Sequence, residues 1–96
     1  MVLEKDFQKK VIQFLKKQGC FVFKYEQNAT TIAGVADIFF CKEGFYGWLE
    51  CKKSKTARFR PGQKEFIAKM DEWSYARAIY PENYDEITKE LKEILR

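Results

Sequence analysis

The chain has 96 residues, 46% hydrophobic and 33% charged, a length that suits one compact α/β-sized unit, residues 1–96, with no room for a second domain. Eighteen Lys and Arg stand against fourteen Asp and Glu, and the excess of base is local: residues 52–64 hold six basic groups and no acid, a distribution that favours a polyanion such as nucleic acid. The absence of His excludes a Ser-His-Asp triad and any histidine base or metal ligand, while three cysteines with no CxxC pair exclude a zinc ribbon and read as reduced thiols of an intracellular, cytoplasmic protein.

Along the chain, Leu3, Phe7, Val11, Phe14 and Leu15 follow the spacing of an amphipathic helix, which Lys16 and Lys17 complement at its C-terminal end and Gly19 closes. With Glu4 and Asp6 at its start, this segment is no signal peptide, and no stretch approaches the roughly 20 apolar residues of a membrane span. Residues 20–25 (CFVFKY) read as a strand, and a weaker extended segment is expected over 29–33, before Gly34. The apolar run 35–41 reads as a central strand. With the turn-like Lys42-Glu43-Gly44 and the run 45–52, it predicts a hairpin over 35–52.

A basic loop follows from Lys53 to Arg60. Pro61 is expected at the first position of a second helix, with Phe66, Ile67 and Met70 on its apolar face and Trp73 near its end. Residues 76–80 (ARAIY) predict a short strand. Asn83 with Glu86 predicts a capped third helix striped by Ile87, Leu91, Ile94 and Leu95. The order α-β-β-β-α-β-α predicts an α/β fold, a small mixed sheet flanked by helices.

Chemistry concentrates on the hairpin. A strand puts Glu50 and Lys52 on one face and Cys51 on the other, and Asp37 lies on the opposite arm. A bare carboxylate among such apolar neighbours costs several kcal/mol unless paired or coordinated. A buried ion pair would satisfy that need, and so would an exposed sheet face or a metal site.

Asp37, followed after twelve residues by Glu50-Cys51-Lys52, resembles the PD-(D/E)xK nuclease signature. Gly34-Val35-Ala36-Asp37, Trp48-Leu49-Glu50-Cys51-Lys52, the basic loop and Gln63 resemble the virus-type replication-repair nuclease (VRR-NUC) branch, over nearly the whole chain from Glu4 to Tyr80. Ala36 stands where the motif has Pro, a position that shapes backbone and carries no ligand.

The resemblance implies a restriction-endonuclease-like core and a metal-dependent DNA endonuclease leaving 5′-phosphate and 3′-hydroxyl ends. It assigns Asp37, Glu50 and the backbone carbonyl of Cys51 to a divalent ion, Mg²⁺ or Mn²⁺, completed by Glu4 directly or through water. No organic cofactor is implied. Lys52 would orient or deprotonate the attacking water, or neutralise charge in the transition state. Gln63 would position water or phosphate.

Two of these positions have plainer readings: Glu4 as an exposed acid favoured by the helix dipole, and Gln63 as a satisfied amide at a helix start. Lys53, Lys55, Arg58, Arg60 and Lys64 would face DNA phosphates, with Phe59 stacking on a base or wedging a junction, unless the loop is only a solvated surface. Tyr25, Tyr46 and Trp48 read as core or sheet-face residues.

Stand-alone members of the branch resemble Holliday-junction resolvases. The resemblance therefore implies a homodimer acting on branched DNA, a four-way junction above all, in repair or phage recombination. Trp73, Tyr75 and Tyr84 are candidates for the surface a partner covers. The alternatives are a general, flap or single-strand nuclease, a catalytically silent nucleic-acid-binding module, and a structural domain with a buried ion pair.

Overall fold

In the computed structural model, which describes residues 4–26 and 33–96, the first helix, α1 (Glu4–Lys17), buries Phe7, Val11 and Leu15 along one stripe. Gly19, at φ 88°, closes it with a Schellman motif. The Cys20 N–H donates to the Leu15 carbonyl at 3.1 Å and the Gly19 N–H to the Lys16 carbonyl at 3.0 Å, which satisfies carbonyls that a helix end otherwise leaves open. Leu3 and residues 29–32 of the extended segment expected over 29–33 lie outside the described residues, and Ala33 lies in a turn.

Four strands follow as one mixed sheet in the order β1 (Phe21–Lys24), β2 (Ile38–Lys42), β3 (Phe45–Cys51) and β4 (Ala76–Ile79). The first two pairings are antiparallel and β3–β4 is parallel. The β2–β3 hairpin turns on Glu43 and Gly44, both at positive φ, as the tight two-residue turns that match strand twist require. The parallel pair needs a crossover, supplied by α2 (Gln63–Trp73). A short 3₁₀ turn, Pro81–Asn83, leads into α3 (Tyr84–Ile94).

Alternation along the strands divides the sheet into two faces. Ile38, Phe40, Leu49, Cys51 and Ile79 join Phe7, Val11 and Leu15 of α1 and Ile87, Leu91 and Leu95 from the α3 segment in one apolar core. A fully buried aliphatic side chain there contributes ~1.5–3 kcal/mol. The other face carries Phe39, Trp48 and Glu50 beneath α2, with the Trp48 and Phe66 rings edge to face at 5.1 Å. Among the described residues the arrangement is an α/β fold of four strands and three helices in the expected order. Among the described residues no helix is long and apolar enough to cross a membrane.

Several local expectations are corrected. β2 begins at Ile38, so Val35, Ala36 and Asp37 precede the strand, and Lys52 follows the end of β3. Pro61 does not open α2. The helix starts two residues later behind Gly62, whose left-handed conformation (φ 86°, ψ −14°) holds the chain in a turn. The Asn83–Glu86 capping box does not form. The Asn83 side chain accepts from the Tyr80 N–H at 2.8 Å and donates to the Ala78 carbonyl at 3.1 Å, which ties the 3₁₀ turn to β4. Ile94 is exposed, and Tyr75 is buried in the core with its hydroxyl donating to Glu90 at 2.7 Å. Tyr75 is therefore no surface ring.

Candidate active site

Asp37 and Glu50 meet where the hairpin opens. The β2–β3 register pairs Ile38 with Leu49, so its next step sets Asp37 opposite Glu50. The side chains then take over the ladder. The Asp37 N–H donates to Glu50 Oε1 at 3.1 Å and the Cys51 N–H donates to Asp37 Oδ1 at 3.1 Å. From α1, Gln8 Nε2 donates to Asp37 Oδ2 at 2.7 Å. Both carboxylates are thus fixed by groups on rigid elements.

Opposed carboxylates repel, and here they do so out of water. The Glu50 side chain is only 3% exposed. Burial, and then the facing Asp37, push its carboxyl up to about 7 against the opposing pull of Lys52 and Arg60. Burial also raises Asp37, although the hydrogen bonds from Cys51 and Gln8 act the other way. The Cys51 thiol points into the core on the far side of the strand, as strand parity requires. Burial and the two carboxylates raise it, which leaves it a protonated thiol and no thiolate ligand.

Lys52 is buried just beyond β3, and its ammonium has three polar neighbours. Nζ donates to Gln63 Oε1 at 2.8 Å and to the Arg58 carbonyl at 3.1 Å, and lies 3.5 Å from Glu50 Oε2. Gln63, at the first turn of α2, is the buried residue of that helix. Its Oε1 also accepts from the Arg60 N–H at 2.7 Å, so two donors fix the amide's orientation. Nε2 is left buried without a partner. Such an orphan donor costs ~1–3 kcal/mol, and what it lacks is an acceptor.

The two halves of the site meet at a backbone contact. A Cβ added to Gly34 would stand 2.6 Å from the Gly62 carbonyl carbon, and both glycines have positive φ. Only glycine at 34 lets the segment leading to Asp37 lie against the turn leading to Gln63.

Glu4 opens α1 and is exposed. Its charge is felt at Asp37, yet among the described residues no three His, Cys, Asp or Glu side chains cluster as metal ligands. The described side chains thus do not gather Glu4 with Asp37 and Glu50 into one cluster. Gln8, one helical turn on, holds that place against Asp37. The remaining donors still suit a hard cation, because Mg²⁺ and Mn²⁺ are commonly bound by one or two carboxylates with waters and substrate phosphates. Two opposed carboxylates, Glu50 buried and Asp37 half-buried, are the charge arrangement that a dication relieves.

Lys53, Lys55, Arg58, Arg60 and Lys64 are exposed. Lys55, Arg58, Arg60 and Lys64 line a cleft of about 480 Å³ that includes Phe59. Lys52 Nζ lies 4.9 Å from the Phe59 ring centre, which ties the basic loop to the buried site. Of the other aromatics, Tyr46 and Trp48 pack on the Phe39 ring.

Sequence reasoning did not assign Gln8 a role. Its signal was available, since it borders the apolar stripe four residues after Glu4. The Arg58 carbonyl and the Arg60 N–H carry no signature in sequence, because they act through backbone. Compared with protein-family models, curated proteins and solved structures, the chain matches none.

Proposed function

We propose that this chain is a divalent-metal-dependent endodeoxyribonuclease of the PD-(D/E)xK type, resembling the VRR-NUC branch and acting on branched DNA. The observation that supports it best is one connected line of polar contacts, Gln8–Asp37–Glu50–Lys52–Gln63, in which the Asp37 backbone N–H makes the step to Glu50. A structural ion pair would need only Glu50 and Lys52. It would need neither a second carboxylate raised in pKa beside the first nor an orphan amide donor.

Asp37, Glu50 and the Cys51 backbone carbonyl would hold Mg²⁺ or Mn²⁺. When bound, such an ion supplies Lewis-acid polarisation of the phosphate and lowers the pKa of water. The protein's own groups do the rest. Lys52, held by Gln63 and the Arg58 carbonyl, presents a fixed positive charge to charge developing on phosphate, or passes a proton to or from the attacking water. Gln63 would position water or phosphate through Lys52, whose ammonium its Oε1 holds. Glu4 acts at longer range through its charge on Asp37, and the basic loop draws in the strand.

Purified chain incubated with labelled four-way junction, flap and linear DNA is expected to cut the branched substrates in Mg²⁺ or Mn²⁺ and not in EDTA. Intact DNA under every condition would overturn the proposal.

Two quantitative expectations accompany it. Charge reversal at Arg58 and Arg60 weakens binding to all DNA sequences alike and lowers the log–log salt slope by roughly 0.9 per lost duplex phosphate contact. A slope equal to wild type, from titrations at several salt concentrations, would place the loop in solvent. Paired cuts in a junction call for two sites related by a two-fold axis, hence a homodimer. Trp73, 63% exposed, remains a candidate contact, whereas Tyr84 packs on Phe7 and Phe14. Sedimentation equilibrium at micromolar concentration is expected to give twice the 11.5 kDa chain mass, and a monomer that makes uncoupled nicks would reject the dimer.

A further inference from the structure

The groove between α2 and β4 is unused by the nuclease reading. In the parallel register, Ala76 lies opposite Trp48 and Ala78 opposite Glu50. β4 therefore turns two methyl groups toward α2 where its neighbour turns an indole and a carboxylate. The space left is about 340 Å³, lined by Ile67, Ala68 and Ala78, walled by Phe59, with Asp71 and Arg77 also on its lining. β4 is an edge strand, so the groove opens beside it.

Phe59 is the partition between this groove and the basic cleft, since it lines both. It is half-buried, with Lys52 Nζ 4.9 Å and Lys64 Nζ 5.5 Å from its ring centre. The ring therefore adjoins the cations of the candidate active site and also lines the groove, a position that Lys64 shares.

Those two environments complement the two parts of a nucleotide. The basic cleft suits phosphate and offers nothing to an apolar peptide. Beyond it, an aromatic face and methyl groups suit a base of any identity, and the polar end of the groove is the ion pair of Arg77 with Asp71.

We infer that the α2–β4 groove receives one unstacked nucleobase of the strand being cut, and so selects DNA with an unpaired nucleotide beside the scissile phosphate. The inference rests on the nuclease reading of Asp37, Glu50 and Lys52 and names the substrate feature that this site selects. Taking a base out of a stack costs least where it is already unpaired, at a branch point, flap or single strand. The groove thus rewards branched substrates over intact duplex without reading sequence.

The test measures binding in Ca²⁺, without cleavage, of a four-way junction carrying an abasic residue at each position around the branch in turn. Wild type is expected to show a penalty of roughly tenfold at one position, the size of a lost base–aromatic stack. 2-Aminopurine at that position is expected to change fluorescence on binding. Phe59→Ala and Ala78→Met, the second filling the groove, should each remove the penalty and the signal, and Phe59→Trp should keep both. If Ala78→Met does not fold, Phe59→Ala at the loop still decides.

No penalty at any position, or a penalty undiminished in Phe59→Ala, overturns the inference. Cleavage in Mn²⁺ by the same preparation separates the two readings. Cutting with no position-specific penalty defeats the base pocket alone. A penalty without cutting on any DNA defeats the nuclease reading and leaves a base-binding groove.

Discussion

Asp37→Ala is expected to lower the cleavage rate by about three orders of magnitude or more, equivalent to ~4 kcal/mol of transition-state stabilisation, while DNA affinity stays within a few-fold of wild type. Asp37 is the carboxylate that both α1 and β3 hold. It takes the Cys51 N–H on one oxygen and the Gln8 amide on the other, and its own N–H anchors Glu50. Removing it takes one ligand from the proposed ion and frees Glu50 of its like-charged neighbour. Binding survives because the variant carries less negative charge near phosphate.

Folding should survive too, since the freed Cys51 and Gln8 donors cost ~1–3 kcal/mol each at most and relief of repulsion at Glu50 offsets part of it. Calorimetry with Mn²⁺ is expected to show binding to wild type and a large loss in the variant. Asp37→Asn is the companion, because it keeps an acceptor for the Cys51 N–H while losing the charge. Turnover retained in Asp37→Ala would remove Asp37 from the mechanism.

How much of this was legible in sequence differs by element. α1 could be read residue by residue, because the stripe of Phe7, Val11 and Leu15 and the stop at Gly19 report the same helix through independent physics. The hairpin was readable too, and with it the turning away of Cys51, which follows from a period of two, whereas the pairing of Asp37 against Glu50 depends on Lys42 joining the strand and the turn being Glu43-Gly44 alone. The start of α2 was misread because Pro61 is as good a turn residue as a first helical residue. What chose between them is the contact of Gly62 with Gly34, 28 residues away, which no local pattern records.

The capping box at Asn83 failed for a similar reason. Asn83 found better partners in Tyr80 and Ala78 across the 3₁₀ turn than in the helix it precedes. Gln63 was visible as an amide on an apolar face. Its bond to Lys52 and the orphaned Nε2 depend on where loop 53–60 passes, a path held largely through backbone, by the Arg58 carbonyl on Lys52, the Arg60 N–H on Gln63 and the Lys55 N–H on Glu82.

Glu50→Gln is expected to stabilise the metal-free chain at neutral and alkaline pH while abolishing cleavage. In the folded chain the Glu50 carboxyl is pushed up from 4.5 to about 7. Between those values the folded chain holds a proton that the unfolded chain has released. The contribution of Glu50 to stability therefore falls as pH rises through that window, and above it the full penalty of a buried, charged carboxylate remains, on the order of 3 kcal/mol.

Gln keeps an acceptor for the Asp37 N–H and carries no charge to desolvate. It also leaves Lys52 without its carboxylate, so part of the gain is lost. The net expectation is roughly 1–2 kcal/mol, or about 5–15 °C in Tm for a chain of this size. Melting curves of both chains in EDTA, taken from pH 5 to pH 9, isolate Glu50 because other titrating groups cancel in the difference.

That difference should be small near pH 5, grow toward pH 7 and level off above it. Mn²⁺ at a hundredfold excess over its dissociation constant should then stabilise wild type by ~2.7 kcal/mol and leave Glu50→Gln nearly unchanged, because the variant has lost the charge the ion would neutralise. A difference that does not vary with pH would mean Glu50 is held as an ordinary ion pair with Lys52. The strain at this pair would then be absent, and with it the physical reason for placing a dication there.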